Sequence, residues 1–123
     1  MAKSRSDLIM DCLKGLQMST PDLEGSALVH NSGLIIASTL PAEIEEDRVA
    51  AMSAALLALD ERISEELARG SLDQVFIKSN HGYIFMISVG AEAVLTTLVR
   101  EQAMVGLVLI CMRQAAAQLR QYV

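Results

Sequence analysis

Two histidines are the side chains of this 123-residue chain that could most readily serve general acid–base catalysis or metal binding. His30 precedes Asn31-Ser32-Gly33, and His81 lies between Asn80 and Gly82, so both fall in predicted turns. Neither has a second histidine or a cysteine at ligand spacing nearby in sequence, as a zinc site would require. We therefore expect solvated turn histidines rather than metal ligands or general bases.

The acidic run Glu43, Glu45, Glu46 and Asp47 has the residue types of a metal site. It stands at the predicted start of a long helix, where carboxylates are stabilised by the positive end of the helix dipole, and this explanation is simpler. The sequence shows no glycine-rich phosphate loop and no recognisable Ser/His/Asp or Cys/His set. We expect no catalytic residues, metal or cofactor, and hence a protein that is not an enzyme.

Composition narrows the possible functions further. Asp and Glu total 15 against 10 Lys and Arg, a formal charge of −5, so nucleic acid binding is not expected. The longest apolar run, residues 103–112, is half of the roughly 20 residues that cross a bilayer, so no membrane insertion is expected. Charged residues interrupt the N-terminal region, unlike a signal peptide, and Cys12 and Cys111 suit buried thiols of a reducing compartment. These features predict a cytoplasmic protein.

The hydropathy pattern predicts a single domain over residues 1–123. Helical periodicity covers 5–18, 44–69 and 103–122, with Ser6 expected to cap the first helix and Gly70 to end the second. Five β-rich runs lie between these helices, at 26–30, 34–38, 72–79, 83–89 and 94–100. Because the connections between neighbouring strands are too short for parallel crossovers, we expect an α/β (α+β) fold with a five-stranded, mainly antiparallel sheet and helices on both faces.

The predicted long helix is apolar on two sides. We expect its larger stripe to pack on the sheet: Val49, Met52, Leu56, Leu59, Ile63 and Leu67. The opposite side carries small residues that would let a second helix approach closely, although helix propensity alone is an alternative explanation of the alanines. The strand at 72–79 is expected at a sheet edge, which pairing with a second copy would cover. The predicted dimer interface is therefore Ala50, Ala54, Leu57, Ala58, Glu61, Val75, Phe76 and Ile77.

Several short sequence motifs, taken in their order along the chain, resemble those of the Roadblock / dynein light chain family. Glu24-Gly25-Ser26-Ala27 followed by Ser32-Gly33-Leu34-Ile35 looks like the signature of its first hairpin. Residues 47–51 look like the start of its long helix, and 81–83, 89–95 and 106–108 resemble its later turns and final helix. Asn31-Ser32 stands where the family commonly has Asp or Arg before the glycine. The resemblance spans essentially the whole chain.

The resemblance implies a profilin-like fold and dimers joined through the long helix and the third strand. It also implies a platform for small Ras-like GTPases, with Arg48, Ala51, Ala55 and Arg62 as candidate contacts. We expect a dimeric, non-catalytic module, paired with itself or a paralogous Roadblock subunit, that binds a small Ras-like GTPase and regulates it. Two alternatives stay open: a structural scaffold or dynein/motor adaptor without GTPase dependence, and a small-molecule sensing domain.

Overall fold

The computed structural model describes residues 2–123. The order of helices and strands predicted from the sequence is confirmed. The elements are α1 (Arg5–Ser19), β1 (Leu23–His30), β2 (Ile35–Ser38), α2 (Glu46–Glu66), β3 (Gln74–Ser79), β4 (Gly82–Val89), β5 (Ala93–Val99), α3 (Val105–Leu119) and a 3-10 turn (Arg120–Tyr122).

All five strands form one antiparallel sheet in the order β2-β1-β5-β4-β3. The expected edge position of β3 is confirmed, and β2 forms the other edge. β2 has only four residues, and its pairing with β1 shifts register where Ile36 bulges out between Ile35 and Ala37. The central strand is β5, which is buried along most of its length.

Helices cover both faces of the sheet, as expected. α1 and α3 pack together on one face, where the larger of two cores contains Leu13, Phe85 and Met112. α2 packs alone on the other face, over β1, β2 and β5, around a smaller core that contains Val29 and Met86. The mixed α/β class and the antiparallel sheet predicted from the sequence are confirmed.

The structure corrects the predicted ends of two helices. The side chain of Ser4, not Ser6, caps α1 by accepting a hydrogen bond from the Asp7 amide, while Asp7 accepts one from the Ser4 amide. α2 ends at Glu66 in a Schellman motif in which the amides of Ala68 and Arg69 donate to the carbonyls of Glu65 and Ser64. The left-handed residue of this motif is Ala68, at φ 55°. The sequence predicted Gly70 in this role, which is two residues too far along the chain.

The predicted orientation of α2 is wrong. Ala50 and Leu57, expected to face a partner, are 0% and 7% exposed against the sheet, whereas Met52 and Leu59 are 57% and 56% exposed. The physical reason is the closeness of the helix to the sheet. Small residues on the inner side let α2 lie tightly over β1 and β5, and buried Ser53 reaches the hydroxyl of Thr96 on β5 at 3.0 Å.

Candidate functional site

The outer side of α2 carries a continuous apolar stripe, called here the α2 stripe. Its members recur at steps of three and four residues: Val49, Met52, Leu56, Leu59, Ile63 and Leu67. Val49 and Leu56 are partly buried at its border, and the other four are about half exposed or more. Alternating steps of three and four are the pattern of helices that pack side by side, so the stripe has the geometry of a helix–helix contact.

The α2 stripe continues onto the sheet. Because α2 lies over β1, β2 and β5, the same face of β3 and β4 is incompletely covered. Val75, Ile77 and Ile84 are only partly buried there, and Leu56 belongs to the same cluster as Val75 and Ile84. The apolar surface therefore runs from the helix to the strand at the sheet edge.

β3 pairs along one side only, with β4, in the described part of the chain. Its other side presents backbone donors and acceptors to solvent over six residues, from Gln74 to Ser79. Phe76 projects from the opposite face to Val75 and Ile77, and its ring meets Phe85 edge-on with 5.0 Å between centroids. An unpaired edge next to an apolar helix face is the arrangement that a second copy could cover.

The remaining residues of the predicted interface lie on the other flank of α2. Ala54, Ala58 and Glu61 line a cleft of about 490 Å³ that is closed by Leu72 and by the β1–β2 and β4–β5 turns. On the helix these three residues point away from the α2 stripe, although Leu72 of the cleft packs in the same cluster as Leu56 and Val75. The structure thus brings Val75 and Ile77 together with the stripe, and not with Ala54, Ala58 or Glu61.

The candidate partner contacts Arg48, Ala51, Ala55 and Arg62 are all exposed on the outer side of α2. The guanidinium of Arg48 lies 3.4 Å from the carboxylate of Glu45. Arg48 and Arg62 are 14 residues apart, which is about 21 Å along a helix. Residues 43–69 contain eight acidic and three basic residues, and Arg48 and Arg62 are two of those three.

Sequence reasoning missed Met52, Leu59, Ile63 and Leu67 as surface residues, because hydrophobicity alone does not say which apolar side of a helix meets the sheet. One signal was available. Small side chains such as Ala50 and Ser53 permit close packing on a sheet, while a regular three-four spacing of large ones suits a partner helix.

The candidate chemical groups elsewhere are engaged in local structure. The His30 imidazole accepts a hydrogen bond from the Ser32 amide at 3.1 Å within the β1–β2 turn. Buried Asp22 accepts hydrogen bonds from the backbone N–H of Met104 and from Arg100, and these contacts lower the pKa of its carboxyl group.

Within residues 2–123, no three His, Cys, Asp or Glu side chains are grouped so as to hold a metal ion. Nor does any helix there have the length and apolar character to span a membrane.

A family model, the Roadblock/LC7 domain, matches residues 11–99. The uncharacterised protein MJ1340 of Methanocaldococcus jannaschii is 35% identical over 101 residues, which cover 82% of this chain and 88% of that protein. Among solved structures, MglB of Myxococcus xanthus superposes with a TM-score of 0.90 at 19% identity, covering 98% of this chain and 91% of that one.

Two further structures share the fold. An MglB with tetrameric arrangement has a TM-score of 0.90 at 17% identity, covering 99% of this chain and 92% of its own. Profilin II of Acanthamoeba castellanii has a TM-score of 0.64 at 14% identity, covering 96% and 98%. At these identities the superpositions establish a profilin-like fold.

Proposed function

The chain belongs to the Roadblock/LC7 domain family, and we propose that it is a dimeric, non-catalytic interaction module that binds and regulates a small Ras-like GTPase. The observation that carries this proposal is the α2 stripe, a row of large apolar side chains on the outer side of the longest helix, next to an unpaired strand edge. Such a surface is incomplete without a partner. We place this dimer in the cytoplasm.

The dimer interface consists of the α2 stripe together with Val75 and Ile77 on β3, with Phe76 at the margin of the sheet's other face. Antiparallel pairing of two β3 edges gives a ten-stranded sheet and lays the two α2 helices side by side over its centre. We exclude Ala50 and Leu57 from the interface because their side chains are buried between α2 and the sheet. Ala54, Ala58 and Glu61 are not needed for it, because they line the cleft on the other flank.

The magnitudes indicate that the helix and the strand act together. Burying the exposed half of one large apolar side chain contributes about 1 kcal/mol, so Met52, Leu59, Ile63 and Leu67 from two copies contribute on the order of 8 kcal/mol. Association costs roughly 4–15 kcal/mol in lost translational and rotational freedom. The α2 stripe alone therefore falls within the range of that cost, and backbone hydrogen bonds between two β3 strands supply the remaining affinity.

The paired α2 helices leave a second, outward flank for the GTPase. Arg48, Ala51, Ala55 and Arg62 lie on this flank, beside the α2 stripe rather than within it. The alanines allow close approach of a partner backbone, and the arginines supply charge-assisted hydrogen bonds to carboxylates. We propose that Arg48 and Arg62 serve as docking contacts, and that any stimulation of GTP hydrolysis acts by positioning residues of the GTPase itself, as the family resemblance implies.

Two measurements test the proposal. Sedimentation equilibrium of the full chain at micromolar concentration should give a mass near twice the 13.3 kDa of one copy. The dimer, immobilised and offered small Ras-like GTPases encoded beside it, should retain one of them with a preference for either the GDP form or a non-hydrolysable GTP form. The paired substitutions Arg48→Glu and Arg62→Glu should abolish retention while the mass stays that of a dimer. A dimer that retains neither nucleotide form of any such GTPase would favour a scaffold or motor-adaptor role.

The cleft beside Glu61 supports small-molecule sensing as a second candidate function. Its volume of about 490 Å³ lies in the range of small-ligand sites. Polar atoms of Asn31, Ser71 and Ser88 share its walls with apolar Leu57 and Leu72. A screen of small cationic metabolites by thermal shift tests this function, with Glu61→Gln as the variant that should lose any response.

A further inference from the structure

The outer surface of the layer formed by α1 and α3 exposes a second set of apolar side chains, called here the α1–α3 patch. It comprises Met18 on α1, Leu107 and Ile110 on α3, and Met104 immediately before α3. Their exposures are 85%, 43%, 56% and 68%, respectively. The patch lies on the face of the sheet opposite the α2 stripe, so the proposed dimer interface does not cover it.

The patch draws on two neighbouring helices, which are separated at the surface by a shallow cleft that includes Gly15 and Gln114. α1 and α3 run antiparallel, because Arg5 bonds to the carbonyl of Tyr122 and the Cys12 thiol lies 3.4 Å from the Gln118 amide oxygen. Counting along both helices from these contacts places Met18 level with Ile110. Each of the two points away from the core residues of its own helix. The exposed apolar side chains of both helices therefore point outward from the same layer.

Charge divides the molecule between its two faces. Residues 43–69, which include α2, hold eight acidic and three basic residues and so account for the whole net charge of −5. Residues 103–123, which include α3, hold Arg113 and Arg120 and no acidic residue. Lys14 on α1 and Lys78 on β3 are exposed on the same face as α3.

The acidic residues of α1 are already engaged. Asp7 takes part in the cap of that helix, and Asp11 forms an ion pair with Lys3 at 2.5 Å. Lys3 and Arg5 balance these two carboxylates, so Lys14, Arg113 and Arg120 leave this layer net positive even with exposed Glu101, three residues before Met104. Exposed apolar side chains bordered by Lys and Arg have the composition of a surface that lies on a membrane without spanning it.

We propose that the α1–α3 patch adsorbs to membranes rich in anionic phospholipid. Met18, Leu107 and Ile110 enter the boundary between headgroups and acyl chains, while Lys14 and Arg113 contact headgroup phosphates. The acidic α2 face then points away from the bilayer, as repulsion by an anionic surface requires. The dimer would present its GTPase-binding side to the solvent.

A lipid surface fits this patch better than a second copy does. Two copies meeting here would bring like charges of Lys14 and Arg113 together. An anionic bilayer has the opposite charge and can accommodate exposed apolar side chains without a matching protein surface. This inference depends on the proposed dimer only for the strength of binding. Antiparallel pairing of two β3 strands places both patches on the same face of the joined sheet, so both can contact one membrane at once.

The test is co-sedimentation of the full chain with vesicles of phosphatidylcholine alone and of phosphatidylcholine mixed with phosphatidylglycerol. We expect binding to the mixed vesicles at low salt, little binding to phosphatidylcholine, and release as salt screens the headgroups. Ile110→Asp and Leu107→Asp should each weaken binding by about tenfold or more. Leu34→Asp, at a residue that is 69% exposed at the opposite end of the sheet, is the matched control and should bind like the unaltered chain.

The sedimentation mass and circular dichroism of each variant are recorded on the same samples. No binding to the mixed vesicles at low salt would overturn the proposal, as would equal loss in Leu34→Asp. A fall in mass in Ile110→Asp would also overturn it, because the patch would then be a protein interface. A monomeric wild-type chain that still bound anionic vesicles, and lost binding on Ile110→Asp, would uphold the lipid site while refuting the dimer. Ile110→Ser, milder in a helix, should show a smaller loss in the same direction if Ile110→Asp does not fold.

Discussion

The hydroxyl of Thr96, on the central strand, donates a hydrogen bond to the hydroxyl of Ser53, in the middle of α2, across 3.0 Å of buried space. This contact fixes which side of the helix faces the sheet. The residues one turn to either side, Ala50 and Leu57, are buried with Ser53. Rotating the helix by half a turn would break this hydrogen bond and place the larger Met52 and Leu59 where Ser53 and Leu57 now lie.

Removing the Ser53 hydroxyl should destabilise the fold more than its size suggests. Ser53→Ala leaves the Thr96 hydroxyl buried without its acceptor, at a cost of about 1–2 kcal/mol in the free energy of unfolding. The double variant Ser53→Ala, Thr96→Val removes both polar groups and should recover most of that loss. Urea unfolding of the two single variants and the double variant measures the coupling. Additive losses would show that the hydrogen bond contributes nothing specific.

The end of α2 should tolerate glycine at one position and require it at another. Ala68 adopts a left-handed conformation at φ 55°, which costs a residue with a Cβ about 1 kcal/mol, so Ala68→Gly should stabilise the protein by up to that amount. Gly70, at φ 82°, is the matched position, and Gly70→Ala should destabilise by a similar amount. Thermal unfolding of both variants gives the comparison, and a lower midpoint for Ala68→Gly would contradict it.

Gly82 should not accept any side chain. Its φ is +142°, and a Cβ there would lie 2.4 Å from the carbonyl oxygen of Val99 on the neighbouring strand. We expect Gly82→Ala to cost about 2–4 kcal/mol of stability, by strain and loss of sheet pairing. Gly106→Ala is the control, since a Cβ at that helical position meets nothing within 4 Å and should be neutral or stabilising. Chemical denaturation distinguishes the two.

Stability should fall in acid through Asp22. The Met104 amide lowers the pKa of this carboxyl group, and Arg100 adds to the effect. A lowered folded-state pKa contributes stability that is present above the unfolded value of about 3.9 and lost as pH falls through the lower folded value. Asp22→Asn should therefore be less stable at neutral pH and lose less stability between neutral pH and pH 3. Urea unfolding of both chains between neutral pH and pH 3 measures the difference, and identical pH profiles would contradict it.

Charge placed on the α2 stripe should separate the two copies of the proposed dimer. Ile63→Glu and Met52→Glu each put a carboxylate where an apolar contact is proposed, and we expect the mass in sedimentation to fall to that of one copy. Ala58→Glu carries the same charge on the cleft flank of the same helix and should stay dimeric. Dissociation by Ala58→Glu together with an unaffected Ile63→Glu would reinstate the small-residue side as the interface.

The sequence predicts the element order, the antiparallel sheet and the edge position of β3, because short turns and alternating apolar residues leave few topologies. It does not predict which side of α2 is inward. Both sides are apolar, and the choice depends on the helix-to-sheet distance set by Ala50 and Ser53. The residue that caps α1 is not predicted for a similar reason. Ser4 and Ser6 are equally good capping residues by type, and only the reciprocal hydrogen bonds with Asp7 select Ser4.

The two borders of the sheet differ in what they permit. β3 offers six residues for pairing, whereas β2 offers four, bulged at Ile36 and followed closely by Pro41. In the proposed dimer, a copy paired at β3 would meet no equally long strand at the far border, so strand-by-strand growth would stop after one junction. The short, bulged β2 is therefore a poor edge for pairing with a further strand.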